Sequence, residues 1–221
     1  MACGRTSDIA ALHAAARRLR ARAKRPSWRS GGRLPALIFV TDPARTPAPD
    51  AIVASLPAGS AVVFRAFGSA DAVEVGRRLK AIAVRRGLIL LAGADEQLAH
   101  AIGAHGLHLP ERLAARAGAV VRRRPGWIVT AAAHSRRAAL LAARAGAHAI
   151  LVSPVFESAS RSAGRPLGPT RFAALARDAH IPIFALGGVT LHNIQRLLGS
   201  GAVGIAAVDA FIDPNERGVR T

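Results

Sequence analysis

Short apolar runs rich in β-branched residues return at regular intervals along this chain, and segments of Ala, Leu and Arg long enough for helices fill the gaps. Runs of that kind read as strands buried on both faces, as in parallel sheets, where each strand needs a crossover segment to reach the next. Strands are read at Ala36 to Thr41, Ala61 to Ala66, Leu88 to Ala92, Gly106 to Leu109, Trp127 to Ala132, Ala149 to Val152, Ile183 to Leu186 and Val203 to Ala207. Helical periodicity appears in segments such as Ala70 to Arg85, Glu111 to Arg122, Ser135 to Ala145 and Leu191 to Leu198. Eight strands and seven intervening helices predict an α/β fold, a TIM (β/α)8 barrel. After the eighth strand only Asp209 to Thr221 remain, interrupted by Pro214 and Gly218, so the final helix is expected to be short or missing.

An extra helix precedes the barrel. Ser7 or Asp8 can cap a helix running to about Lys24, with Ile9, Leu12, Ala16 and Leu19 on one face, before Pro26, Gly31 and Gly32 break it. The expected organisation is a basic N-terminal helix and linker over residues 1–34 and a single barrel domain over 35–221. Because the missing last helix leaves the space between strands eight and one uncovered, the N-terminal helix is expected across that seam or across the barrel floor. A subunit interface at the same place, giving a homodimer, stays open as the alternative.

The formal charge of +18 raises nucleic acid as a partner. All the basic residues except Lys24 and Lys80 are arginines, and much of the excess lies in residues 1–34, with Asp8 as their one acid. No aromatic interleaving or nucleic-acid motif accompanies the charge, so a solvated basic tail is favoured over a nucleic-acid arm. The single cysteine, Cys3, forms no internal disulfide. No apolar run approaches the roughly 20 residues that span a bilayer, and no leader-type apolar region opens the chain, so a cytoplasmic protein with no membrane partner is expected.

In a barrel, chemistry belongs at the C-terminal ends of the strands. Those positions hold Thr41 and Asp42, Arg65, Gly93 and Ala94, His108, His134, Ser153 to Arg165, Gly187 and Gly188, and Asp209. His134 is the foremost catalytic candidate, since an imidazole at the mouth can take and return a proton near neutral pH; the plainer alternative is a helix-start residue bonding a loop. His108 either lines the mouth or simply packs, and packing is preferred. Gly187 and Gly188 would let backbone N–H groups approach an anion, or merely make a tight turn. The loop from Glu157 to Gly168 reads as a cover that brings Arg161 or Arg165 onto an anion, or as an ordinary surface loop. No His-x-x-x-His pair or carboxylate cluster suggests zinc, and no metal site is expected.

The ordered series Leu37 to Asp42, Gly106 to Pro110, Ala132 to Ser135, Gly146-Ala147, Ser153 to Phe156, Leu167-Gly168, Pro182 to Val189 and Gly201 to Ala206 resembles the thiamine-phosphate synthase/TenI family. The resemblance runs from about Leu34 to Phe211. It implies a barrel that takes a thiazole phosphate or a related thiamine precursor: synthases of the family join it to a pyrimidine pyrophosphate with Mg²⁺, whereas TenI-type members include a tautomerase using a histidine at the His134 position. Carried over residue by residue, the synthase pattern is incomplete. Of the Gln-x-Arg-x-Lys after strand two only Arg65 remains; the metal-holding Asn-Asp pair appears as Gly93-Ala94, with Asp95 adjacent. The second metal carboxylate falls near Leu113, with Glu111 the nearest acid, and the lysine of the strand-six loop corresponds to Arg161. A serine expected after strand eight beside the thiazole phosphate is Asp209, so either that carboxylate turns away or the ligand is not a phosphate.

The resemblance together with these departures favours metal-free tautomerisation: His134 as acid/base, Arg65 and Arg161 as anion contacts, Gly187 and Gly188 as backbone donors, and Asp42, His108, Ser153 and Asp209 around the ligand. A divergent Mg²⁺-dependent synthase is the alternative within the family. A non-catalytic barrel that binds a ligand or partner is the alternative outside it.

Overall fold

The structure, a computed structural model, describes residues 2–23, 35–46, 48–158, 160 and 164–211. Eight parallel strands close into a barrel in sequence order, β1 (Leu37–Val40), β2 (Ala61–Phe64), β3 (Ile89–Gly93), β4 (Gly106–Leu109), β5 (Ile128–Ala133), β6 (Ala149–Val152), β7 (Ile183–Leu186) and β8 (Gly204–Ala207). The ring closes through β1 on β8, with Phe39 opposite Ala207. The helices are α1 (Ala2–Arg22), α2 (Pro49–Ser55), α3 (Ala72–Arg86), α4 (Glu96–Ala101), α5 (Ala117–Arg123), α6 (Arg136–Arg144) and α7 (Gly168–Asp178).

Strand side chains alternate between two apolar layers because the pleat has period two. Ile38, Val40, Val63, Leu91, Leu151, Phe184 and Ala206 fill the barrel interior, while Leu37, Phe39, Val62, Leu90, Ile150 and Ile205 face the helices. At the chain-entry end of the barrel two histidines serve the backbone. His105 Nδ1 accepts the Leu90 N–H at 2.9 Å and His148 Nδ1 accepts the Val129 N–H at 3.0 Å.

The N-terminal helix takes the seam, not the floor. The four apolar residues read onto one face of α1, Ile9, Leu12, Ala16 and Leu19, are all buried, and the helix packs on β1 and β8. Beyond β8 the chain makes only a 3-10 turn, Asp209–Phe211, whose Phe211 ring meets Phe39 edge-on at 5.0 Å. No helix among the described residues is long and apolar enough to cross a membrane.

Two helices expected from periodicity differ. The segment from Glu111 begins as a 3-10 helix, Glu111–Arg116, and becomes α5 only at Ala117, next to Gly118, where a side chain would meet the Ala145 carbonyl. Leu191 to Leu198 yields only a 3-10 helix, Ile194–Leu197. There the Asn193 side chain accepts the Thr190 N–H at 2.9 Å and donates to the Gly188 carbonyl at 2.7 Å, which holds the preceding residues in a turn.

The top of the interior layer is polar. His108 on β4 is buried, with Nδ1 2.9 Å from the Thr130 hydroxyl of β5. Burial, helped by the Arg65 charge, lowers its pKa from 6.5 to about 4, so the ring is neutral at physiological pH.

Two measurements follow from this packing. Leu12→Ala should cost about 2–5 kcal/mol in denaturant unfolding, because it opens a cavity under the seam helix; a loss within the ordinary surface range of about 0.5 kcal/mol would place α1 off the barrel. The lowered His108 pKa contributes stability that is complete above about pH 6.5 and lost as pH falls through about 4. Its full value is on the order of 3 kcal/mol. Unfolding of His108→Asn across that window should show a shallower pH dependence than the parent; identical slopes would contradict the assignment.

Candidate active site at the barrel mouth

Continuing the inward pleat one step above the apolar interior produces the site. Arg65, Gly93, His108, Ala132 and Ser153, the next inward positions of β2 to β6, all line an open cavity of about 1420 Å³ at the C-terminal ends of the strands. Val40, Leu186 and Val208 supply the apolar remainder of that ring. Gly93 leaves room for its neighbour, since a Cβ there would lie 3.0 Å from Arg65 Cγ. Ser153 precedes a cis peptide to Pro154, which also borders the cavity.

His134 stands at the rim, between the end of β5 and the Ser135 cap of α6, whose hydroxyl accepts the Ala138 N–H at 3.1 Å. Its backbone N–H donates to Glu111 Oε2 at 2.6 Å, and its Nδ1 lies 2.8 Å from the same oxygen. An ionised carboxylate only accepts, so this contact assigns the proton of the neutral ring to Nδ1 and leaves Nε2 with the lone pair. Glu111, considered from sequence only as a metal ligand, is thus the residue that orients the histidine. The signal for it was its place after the strand-four turn, facing the strand-five end, which needed the closed barrel to be seen.

A second group ties the seam together at the mouth. Arg65 donates through Nε to the Thr41 carbonyl at 2.7 Å and through Nη2 to Asp42 Oδ2 at 3.0 Å. Arg45 donates through Nη2 to the same Asp42 oxygen at 2.9 Å, and through Nη1 to both Asp209 oxygens at 3.1 and 2.9 Å. Burial pushes the Asp42 pKa up, yet the hydrogen bond and charge of Arg45, with Arg65 and the Ala44 N–H, outweigh it and hold the carboxyl below its ordinary value. Arg65 is lowered chiefly by burial and remains a cation. Sequence reading missed Arg45, whose spacing three residues after Asp42 in a turn was its only local signal.

These contacts revise several expectations. Asp209 neither turns away nor stands alone: it lines the mouth, about one-third exposed, and is held by Arg45. Asp42 is an internal partner of two arginines. Arg65 lines the cavity, but its Nε and Nη2 are already engaged. His108 both lines the mouth and packs. Gly187 and Gly188 line it with φ of +87° and +66°, and a Cβ on Gly188 would collide with the Glu157 carbonyl, so glycine is required there. Phe156 is buried at the rim under Arg196. Arg165 lines a separate cavity of about 540 Å³ with Arg171 and Arg196. Arg161 lies outside the described residues.

The acids near the expected metal position have partners within the protein. Asp95 caps α4 by accepting the Leu98 N–H at 2.8 Å, and Glu111 is bound to His134. Among the described residues no three His, Cys, Asp or Glu side chains converge into a cage built from protein ligands alone.

Comparison with known proteins adds to this geometry. The family model described as thiamine monophosphate synthase matches residues 37–211. A putative thiamine-phosphate synthase of Geobacter sulfurreducens is 36% identical over 149 residues, 66% of this chain and 70% of that protein. The thiamine-phosphate synthase of Chlorobium luteolum is 30% identical over 180 residues, 80% and 84% of the two chains. The solved thiamine phosphate pyrophosphorylase of Pyrococcus furiosus shares the fold with a TM-score of 0.69 at 22% identity, over 82% of this chain and 89% of that one. A family match that spans all eight strands, with relatives at 30% identity and above, means that this chain belongs to the thiamine monophosphate synthase family.

Proposed function

We propose that this barrel acts in thiamine biosynthesis on a thiazole-type thiamine precursor, the phosphate or a close relative, by histidine acid/base tautomerisation. The observation that carries the reading is the Glu111 carboxylate holding both the backbone N–H and Nδ1 of His134 at the cavity rim. In this mechanism the free Nε2 takes a proton from a ring carbon of the ligand, and the C–H electron pair moves into the ring. The imidazolium, stabilised by Glu111, then returns the proton at another ring position, so nothing is consumed. The step needs no metal, and Gly187 and Gly188 offer backbone donors to the ligand from the end of β7, two strands around the mouth from His134.

A second reading, divergent condensation of a pyrimidine pyrophosphate with thiazole phosphate, has the stronger support from the names of the relatives, which are synthases. Against it stands the departure from the family's paired metal acids, Gly93-Ala94 in place of Asn-Asp with Asp95 capping α4 and Glu111 holding His134, because departure of pyrophosphate needs its developing charge neutralised.

The two readings separate in one assay series. With a thiazole-type precursor in D2O, the protein should speed exchange of the labile carbon-bound proton without added Mg²⁺. His134→Ala should slow that exchange by about 10²–10⁴-fold while leaving ligand affinity within a few fold. An unchanged rate in His134→Ala would remove the histidine mechanism, and Mg²⁺-dependent thiamine phosphate formation from both substrates would establish the synthase.

A further inference from the structure

Deepening the thiazole reading above, on which it rests, we infer that the mouth selects the uncharged alcohol form of the precursor over its phosphate ester. In barrels of this kind a phosphate sits at the loops after strands seven and eight and the short helix that follows. Here that short turn begins with Asp209, whose carboxylate lines the cavity.

Nearby cations do not reverse the sign. Arg45 gives Nη1 to both oxygens of Asp209 and Nη2 to Asp42, while Arg65 gives Nη2 to Asp42 and Nε to the Thr41 carbonyl. Two guanidinium groups are matched by two carboxylates. Recruiting Arg45 to a phosphate would strip partners from two partly buried acids, which is costly, and Arg65 is held back toward β1 by Asp42 and the Thr41 carbonyl. The wider mouth carries the same balance: among the described residues its lining holds Asp8, Asp95, Glu111, Glu157 and Asp209. Only Arg45, Arg65 and Arg112 answer them, and His108 is neutral at physiological pH. A chain with a formal charge of +18 therefore presents a mouth whose described charged groups are mostly acidic. Asp209 also suits an alcohol directly, because a carboxylate has about four acceptor positions and Arg45 Nη1 occupies one on each oxygen.

The test is calorimetry on the full chain with hydroxyethylthiazole, its phosphate monoester and inorganic phosphate, on the wild type, Asp209→Ser and Asp209→Asn. The alcohol should bind at least about tenfold more tightly than the ester to the wild type. Asp209→Ser should narrow or invert that ratio, and Asp209→Asn, which keeps an acceptor for Arg45 without the charge, guards against a misfolded serine variant. An ester that binds the wild type as tightly as the alcohol overturns the inference and leaves the thiazole reading standing. If neither thiazole binds, the thiazole reading fails, and the phosphate arm still decides the inference about the site. Inorganic phosphate bound equally by the wild type and both variants overturns it; binding gained only in the variants supports it.

Discussion

A closed parallel barrel allows its pleat one choice, and nearly everything at this site depends on that choice. Side chains alternate inward and outward along each strand, so a strand that buries Ala61 and Val63 inside must also turn Arg65 inward at the mouth. The same step places His108 above Gly106 and Ser153 above Leu151. Slipping one residue would move every apolar side chain to the wrong layer, so the apolar interior holds the site in register. The chemistry sits on the upper edge of a core that the hydrophobic effect already specifies.

Charge is organised locally against the bulk of the chain. The excess of arginine lies largely in the N-terminal segment and on the helices, whereas the mouth pairs its arginines with carboxylates in a chain that joins β1, β2 and the turn after β8. That ion-pair chain closes the seam on top, and α1 covers it from the side. One region thereby carries both a structural closure and the electrostatic character of the cavity.

Eight strands were legible because each is an apolar run bounded by turn residues, and the amphipathic face of α1 was legible from Ile9, Leu12, Ala16 and Leu19. Helices held by side-chain-to-backbone bonds were not: Asn193 halts the segment after β7 through contacts that periodicity does not contain. His134 and the glycine pair could be placed at the mouth from strand ends alone. Their partners could not, because Glu111 lies 23 residues from His134 and Arg45 lies 164 residues from Asp209. Those pairings exist only once the barrel has closed. The acid at Asp209 was visible in the sequence as a departure from the family pattern, but its pairing with Arg45 was not.

Everything chemical in this account depends on Glu111 holding His134 with its proton on Nδ1. Nitrogen-15 NMR of the histidine side chains in the unliganded wild type, with His134→Gln identifying the resonance, reads that directly at a pH where the ring is neutral. The account predicts a protonated Nδ1 and an unprotonated Nε2 for His134, with that preference lost in Glu111→Ala. A ring carrying its proton on Nε2, indifferent to Glu111, would contradict it.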